Sequence, residues 1–297
     1  MTEKKDERPR HNRAPLAYEN KKFLNGPDGR SLRILSEYQE PLSRFRRERI
    51  QDTIVFFGSA RFHSRSQAQR DLDLLEKPGS ATLAPPEEQE RIRRAKADLE
   101  MAGYYEDARR LSFLITRWSK TINQPRHRFV ICTGGGPGIM EAANLGASEA
   151  GGKTIGMNIN LPFEQMPNEY ITRELNFEFH YFFMRKLWFA YLAKALVVFP
   201  GGFGTFDELF ELLTLAQTEK LAKKICVVIY GKKYWDKVIN FQALVDAGTI
   251  SPRDLNLFHW ANDPEEAFEH LRKELTRHHL EPENAREKEP EIARTRP

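Results

Sequence analysis

The sequence predicts an α/β domain: a doubly wound, Rossmann-like parallel sheet flanked by helices, with an added N-terminal helix and a helical insertion. Three observations lead there. Short runs of apolar residues recur at 53–57, 129–132, 153–159, 195–199 and 225–230. They are apolar on both faces, as inner strands of a parallel sheet are. Between them lie stretches with apolar residues at helical spacing, and strands alternating with helices imply parallel pairing. Three of the runs stop at small residues: Gly58-Ser59, Thr133-Gly134-Gly135-Gly136-Pro137-Gly138, and Pro200-Gly201-Gly202-Phe203-Gly204-Thr205. In such sheets, ligands sit beyond the carboxyl ends of the strands.

Taken in order, residues 1–30 are charged, punctuated by Pro9, Pro15, Gly26, Pro27 and Gly29, and lack apolar periodicity. A disordered or loosely attached arm is expected. Leu32, Leu35, Tyr38, Leu42 and Phe45 then mark a helix over 32–49. The first strand, 53–57, is followed by a polar insertion over 62–86 and a long helical pattern over 87–121, which Gly103 would divide into two helices. The inserted region as a whole spans about 62–121. After the second strand come a helix (139–150), a third strand (153–159) and a loop with Pro162 and Pro167. An edge strand within 171–179 and a helix over 181–194 lead to the strand 195–199. A helix-like segment over 209–220 and a strand at 225–230 follow, then a helix over 234–246, a short strand near 257–260 and a helix over 264–275. The tail 278–297 holds few apolar residues and is expected to be disordered. One domain, 31–277, is the result.

Composition narrows the class. The 297 residues are 40% hydrophobic and 30% charged, with formal net charge +4 and pI about 8.9. Basic residues alternate with acids, as in Arg91-Ile92-Arg93-Arg94-Ala95-Lys96-Ala97-Asp98, which reads as a solvated helix face and gives no nucleic-acid groove. Cys132 and Cys226 lie apart inside apolar runs, without metal-ligand spacing. No apolar run approaches the ~20 residues of a membrane span, and the N-terminus has no signal-peptide core. A reduced, cytoplasmic protein without metal or cofactor is expected.

The chemistry centres on 199–208. Ala195-Leu196-Val197-Val198-Phe199 runs into Pro200-Gly201-Gly202-Phe203-Gly204-Thr205-Phe206-Asp207-Glu208. A strand that stops at glycines and restarts as a helix aims backbone N–H groups at open space, and phosphate suits such a helix start. The same pattern also serves as a tight turn packing helix on sheet. Thr205 is a helix cap or a phosphate ligand, and Glu208 falls in the first turn. No Gly-Lys-Ser/Thr follows either glycine loop, so neither is a P-loop. No ribose-binding acid closes a second strand, so the dinucleotide fingerprint is incomplete. A mononucleotide or sugar phosphate is indicated.

This stretch resembles the PGGxGTxxE motif of the LOG ("lonely guy") family, cytokinin riboside 5′-monophosphate phosphoribohydrolases once misassigned as lysine decarboxylases. The Arg-Lys element Met184-Arg185-Lys186, the first glycine loop and the Phe57-Gly58-Ser59 strand end match as well, so the resemblance spans roughly 50–250. It implies hydrolysis of the N-glycosidic bond of AMP or N6-modified AMP, as in AMP nucleosidases, with Arg185 and Glu208 as the catalytic pair. It further implies that Gly201, Gly202, Gly204 and Thr205 hold the 5′-phosphate, that Gly58, Ser59, Gly135 and Gly136 line the ribose and phosphate side, and that Met184 belongs to the substrate site. A homo-oligomer, dimer or higher, is implied through the helices near the site. The chain departs from the plant enzymes by the long insertion and by Glu141 after the first glycine loop; a dipole partner and a site residue both remain readings of Glu141. The alternative function is a nucleotide-binding or sensing protein of the same fold without hydrolysis; molybdenum-cofactor carriers share the scheme. Lysine decarboxylation would need a pyridoxal-phosphate lysine with its acidic partner, and no such constellation is visible.

Overall fold

The computed structural model describes residues 14–76, 86–161, 166–218, 220 and 224–281. The chain divides into two units, Met1–Ser43 and Arg44–Pro297. In the first, residues 17–29 form short helical turns, among them α1 (Lys21–Asn25), within the stretch expected to be a disordered or loosely attached arm. Asn20 caps α1 by accepting from the Phe23 N–H, and the Arg33 guanidinium donates to the carbonyls of Leu24 and Gly26. These local bonds replace the apolar periodicity that the segment lacks. Residues 1–13 and 282–297 of the expected arm and tail, and 77–85 of the insertion, lie outside the described residues.

α2 (Arg30–Arg47) leads to β1 (Thr53–Phe57). There follow α3 (Arg65–Leu75), α4 (Pro86–Ser119), β2 (Val130–Thr133), α5 (Ile139–Glu149), β3 (Thr154–Ile159) and β4 (Asn176–Phe179). Then come α6 (Phe182–Leu192), β5 (Ala193–Val198), α7 (Phe203–Gln217) and β6 (Cys226–Tyr230). α8 (Lys232–Val238), α9 (Phe241–Asp246), β7 (His259–Ala261) and α10 (Pro264–Leu275) complete the order. The seven strands form one sheet in the order β4-β3-β2-β1-β5-β6-β7, every neighbouring pair parallel. The winding reverses between β1 and β5, which creates a crevice at their carboxyl ends.

Each face of the sheet buries its own layer. On one face Ile54 and Phe56 pack with Leu111 and Ile115 of α4, Ala143 of α5 and Leu271 of α10, all fully buried. On the other, Phe57 meets Phe189 of α6 edge to face at 4.8 Å between ring centroids. At the amino ends of β1 and β2, the buried Asp52 accepts from the Arg128 guanidinium at 2.7 Å and from the Phe129 N–H at 2.6 Å. Breaking such a buried pair costs about 3–5 kcal/mol.

The inserted region departs from expectation in two ways. Its polar part contains α3, capped by Ser64, whose hydroxyl accepts from the Gln67 N–H, and seated through Ala68 and Leu72. Only two buried positions in eleven residues left too faint a period to read. α4 runs unbroken for 34 residues through Gly103. The expected single helix at 234–246 is two, α8 and α9, because the Asn240 side chain caps a new start by accepting from the Ala243 N–H.

Two glycines test the long helix. A methyl group at Gly103 would meet nothing within 4 Å, whereas one at Gly146 of α5 would run into the Arg109 carbonyl of α4. Gly103→Ala is therefore expected to raise stability by about 0.5–1 kcal/mol, and Gly146→Ala to lower it by about 1–3 kcal/mol, both read by chemical denaturation. A Gly103→Ala protein less stable than wild type would mean that the helix is broken there.

Candidate functional site

Backbone bonds gather the three loops that follow β1, β2 and β5. The Ser59 N–H donates to the Pro200 carbonyl at 2.9 Å, and the Ser59 carbonyl accepts from the Ile139 N–H at 3.0 Å. The Phe199 N–H donates to the Phe57 carbonyl at 2.8 Å. Approach this close excludes side chains. A Cβ at Gly201 would strike the Thr205 hydroxyl, and one at Gly138, where φ is +73°, would strike the Ser59 carbonyl.

The glycine loops differ in what they leave open. At α5, the first helical N–H, that of Ile139, is taken by Ser59. The Gly135 carbonyl accepts from both the backbone and the side chain of Asn168, and the Gly136 carbonyl from its side chain. At α7, Gly202 holds the N-cap position and the helix begins at Phe203, six residues before the expected start. Thr205 consequently lies inside the first turn and is no cap, and Glu208 falls in the second turn. Early N–H groups of a helix lack intrahelical acceptors and favour an anion.

A cavity of about 930 Å³ opens at this point. Gly58, Ser59, Gly201, Gly202, Gly204, Thr205, Arg185 and Glu208 all line it. Gly135, Gly136 and Met184 are not among its lining residues; the first two are turned to Asn168 and Met184 is buried. Glu141 is half-buried and accepts from the Tyr105 hydroxyl at 2.9 Å.

Arg185 of α6 and Glu208 of α7 face each other, Nη2 to Oε1, at 3.8 Å, with only 15% and 5% of their side chains exposed. The guanidinium lies over the rings of Phe182 and Phe189 at 5.2 and 5.6 Å. Two buried polar atoms, Arg185 Nε and Glu208 Oε1, lack a hydrogen-bond partner. Lys186 Nζ is drawn to the other acids, at 2.8 Å from Asp207 and 2.6 Å from Glu211, with Glu208 at 4.0 Å. Burial pushes the Glu208 carboxyl from the ordinary 4.5 up to about 7, against the pull of Lys186 and Arg185. Burial also lowers Arg185, against the attraction of Glu208. A carboxyl of this kind exchanges a proton near neutrality, beside a fixed cation.

Sequence reasoning missed three contributors. The Tyr234 hydroxyl of α8 donates to the Gly201 carbonyl at 2.7 Å and bolts the loop from below. Phe62 and Met101, from the inserted region, form part of the cavity wall. A lone tyrosine, phenylalanine or methionine on a helix or loop carries no local mark of such a place.

A crevice at the winding reversal, with an open helix start and a buried cation–carboxyl pair, is the kind of place where doubly wound α/β proteins bind ligands. Residues 140–271 match the family model described as possible lysine decarboxylase, which is the LOG family. The motif resemblance and this match point to the same family, and the match covers 132 of the 297 residues. No curated protein matches the chain. Among solved structures, the chain is similar to the molybdenum cofactor binding protein of the phototrophic bacterium Rippkaea orientalis, at 16% identity over 74% of this chain and 94% of that one, TM-score 0.41. It is also similar to the Moco carrier protein of Chlamydomonas reinhardtii, at 21% identity over 76% and 98%, TM-score 0.43. Likeness this distant leaves the ligand to be argued from the site itself.

The raised carboxyl makes stability depend on pH. The folded protein holds the Glu208 proton up to about pH 7, whereas the unfolded chain releases it near 4.5. Between those values the folded state binds the extra proton, so stability declines as pH rises through that window. In thermal melts, Glu208→Gln should gain on wild type from pH 4.5 to 8, by on the order of 1–3 kcal/mol. A difference that stays constant with pH would mean an unperturbed carboxyl.

Proposed function

We propose that the protein is a nucleoside 5′-monophosphate phosphoribohydrolase, which cleaves the N-glycosidic bond of AMP or N6-modified AMP to free base and ribose 5-phosphate. The observation that carries this reading is the Arg185–Glu208 pair, 3.8 Å apart in the wall of a cavity that also holds the start of α7. The 5′-phosphate lies against Gly201, Gly202, Gly204 and Thr205, where backbone N–H groups and the helix dipole favour it. Gly58 and Ser59 form the adjoining floor. Arg185 holds a ribose hydroxyl or phosphate oxygen and fixes the sugar's position. Departure of the base leaves positive charge on the ribose ring, which the Glu208 carboxylate stabilises while it orients and deprotonates water. The hydroxyl goes to the anomeric carbon and the proton to the leaving base.

The described lining residues include no lysine, so the cavity does not fit the pyridoxal phosphate that lysine decarboxylation would call for. A non-catalytic nucleotide binder would have less need of a proton-exchanging carboxyl at the site. Adenine release from AMP by the purified protein tests the choice: binding without turnover would favour the binder. Glu208→Ala is expected to lower kcat/KM by roughly 10²–10⁴. In wild type, kcat/KM should rise with pH and level off above about 7, as Glu208 loses its proton. Full activity of Glu208→Ala would overturn the assignment.

The exposed apolar side chains of α6 and α7 fit a homo-oligomer, dimer or higher. Phe182, Phe183, Leu187, Phe203 and Phe210 are all exposed, Phe203 at 96%. Patches of that kind mark interaction surfaces. Light scattering should give at least twice the 34.6 kDa chain mass, and a monomer would refute it. Two free cysteines suit the cytoplasm. Among the described residues, no helix is long and apolar enough to cross a membrane.

A further inference from the structure

The cavity has two kinds of wall. One is made of loop backbone, Arg185 and Glu208; the other is mainly apolar, with Arg61 and Asn158 standing among the apolar Phe62, Met101, Met140 and Leu161. Two of these four come from the inserted region, which the sheet and its loops do not require. Phe62 follows β1, and Met101 lies near the middle of α4.

Neither residue hangs free. The Phe62 ring stacks on Tyr104 of α4 at 6.3 Å between centroids, and Tyr104 meets Tyr230 edge to face at 6.4 Å. Tyr230 in turn stacks on Phe199 at 4.4 Å, the residue that opens the phosphate loop. Tyr230 is pinned as well, since its hydroxyl donates to Asp107 of α4 at 3.0 Å. This aromatic column ties α4 to the end of β5. It holds the inserted wall in register with the catalytic loops.

From this we infer that Phe62 and Met101 form the subsite for the base, and that Met101 sets how large a substituent the base can carry. The inference rests on the nucleotide reading above. With phosphate at α7 and ribose at Arg185 and Glu208, a flat, uncharged base is left the mainly apolar wall, where Arg61 stands beside Phe62. An aromatic ring offers it a stacking face. A methionine offers a polarisable side chain that adapts to the ring edge. Size at position 101 then acts by exclusion, since a close-packed wall rejects added atoms.

The test compares AMP with N6-benzyl-AMP on Met101→Ala, Met101→Trp, Phe62→Ala and wild type. It reads equilibrium binding by calorimetry alongside base release. The quantity is the ratio of the two ligands on one preparation, which does not depend on the fraction folded. Met101→Trp should move that ratio against the benzyl compound by on the order of tenfold, and Met101→Ala should move it in favour by a similar factor. Phe62→Ala should weaken both ligands. Ratios within twofold of wild type in both Met101 variants would overturn the inference while leaving the hydrolase reading intact. If wild type binds both nucleotides but releases no base, the hydrolase reading fails and the binding ratios still decide the subsite. If wild type binds neither, both fall.

Discussion

The backbone of one residue, Ser59, holds the site together. Its N–H reaches the loop after β5 and its carbonyl reaches the first turn of α5, so three strand ends share one knot. The knot works because the neighbours are glycines: Gly138 and Gly201 let main chain approach main chain where a methyl group could not fit. It also sorts the two helix starts. By engaging the N–H of Ile139, Ser59 leaves α7 as the more open of the two. The parallel order of the sheet matters for function chiefly because it brings β1, β2 and β5 side by side.

The second constraint is electrostatic. Five charged side chains crowd the contact between α6 and α7, and they divide into two sets. Lys186 is occupied by Asp207 and Glu211, both of which carry more solvent exposure than Glu208. Arg185, clasped by two phenylalanine rings, lines the cavity beside Glu208. The ion-pair distance of 3.8 Å is long for a strong hydrogen bond, and burial dominates the carboxyl. Because each partner keeps a buried atom unpaired, the pair retains capacity for a third group between them.

Much of this was legible in the sequence. Runs such as Thr53-Ile54-Val55-Phe56-Phe57 have one period and one plausible partner type, and the strand came out over those same residues. Arg185 and Glu208 came from the motif resemblance, and the structure brings them face to face because they flank one strand and its glycine turn. What escaped depends on packing between distant segments. Tyr234 meets Gly201 across 33 residues, and Gly135 turns away because Asn168, far along the chain, claims its carbonyl. Gly103 misled for a related reason: a glycine is a break only when packing fails to hold the helix through it, and α4 is held by α3 and α5 along its flanks.

At 1.5 Å per residue, α4 is about 51 Å long,. One end of it contributes to the core with Leu111 and Ile115, while Met101 looks into the cavity from near its middle. Arg185 and Glu208 sit on other elements, α6 and α7. A lineage could therefore reshape this cavity by exchanging side chains on one helix, leaving the Arg185–Glu208 pair and the core untouched. The long insertion gives this fold a part that can diversify under selection at little risk to the rest.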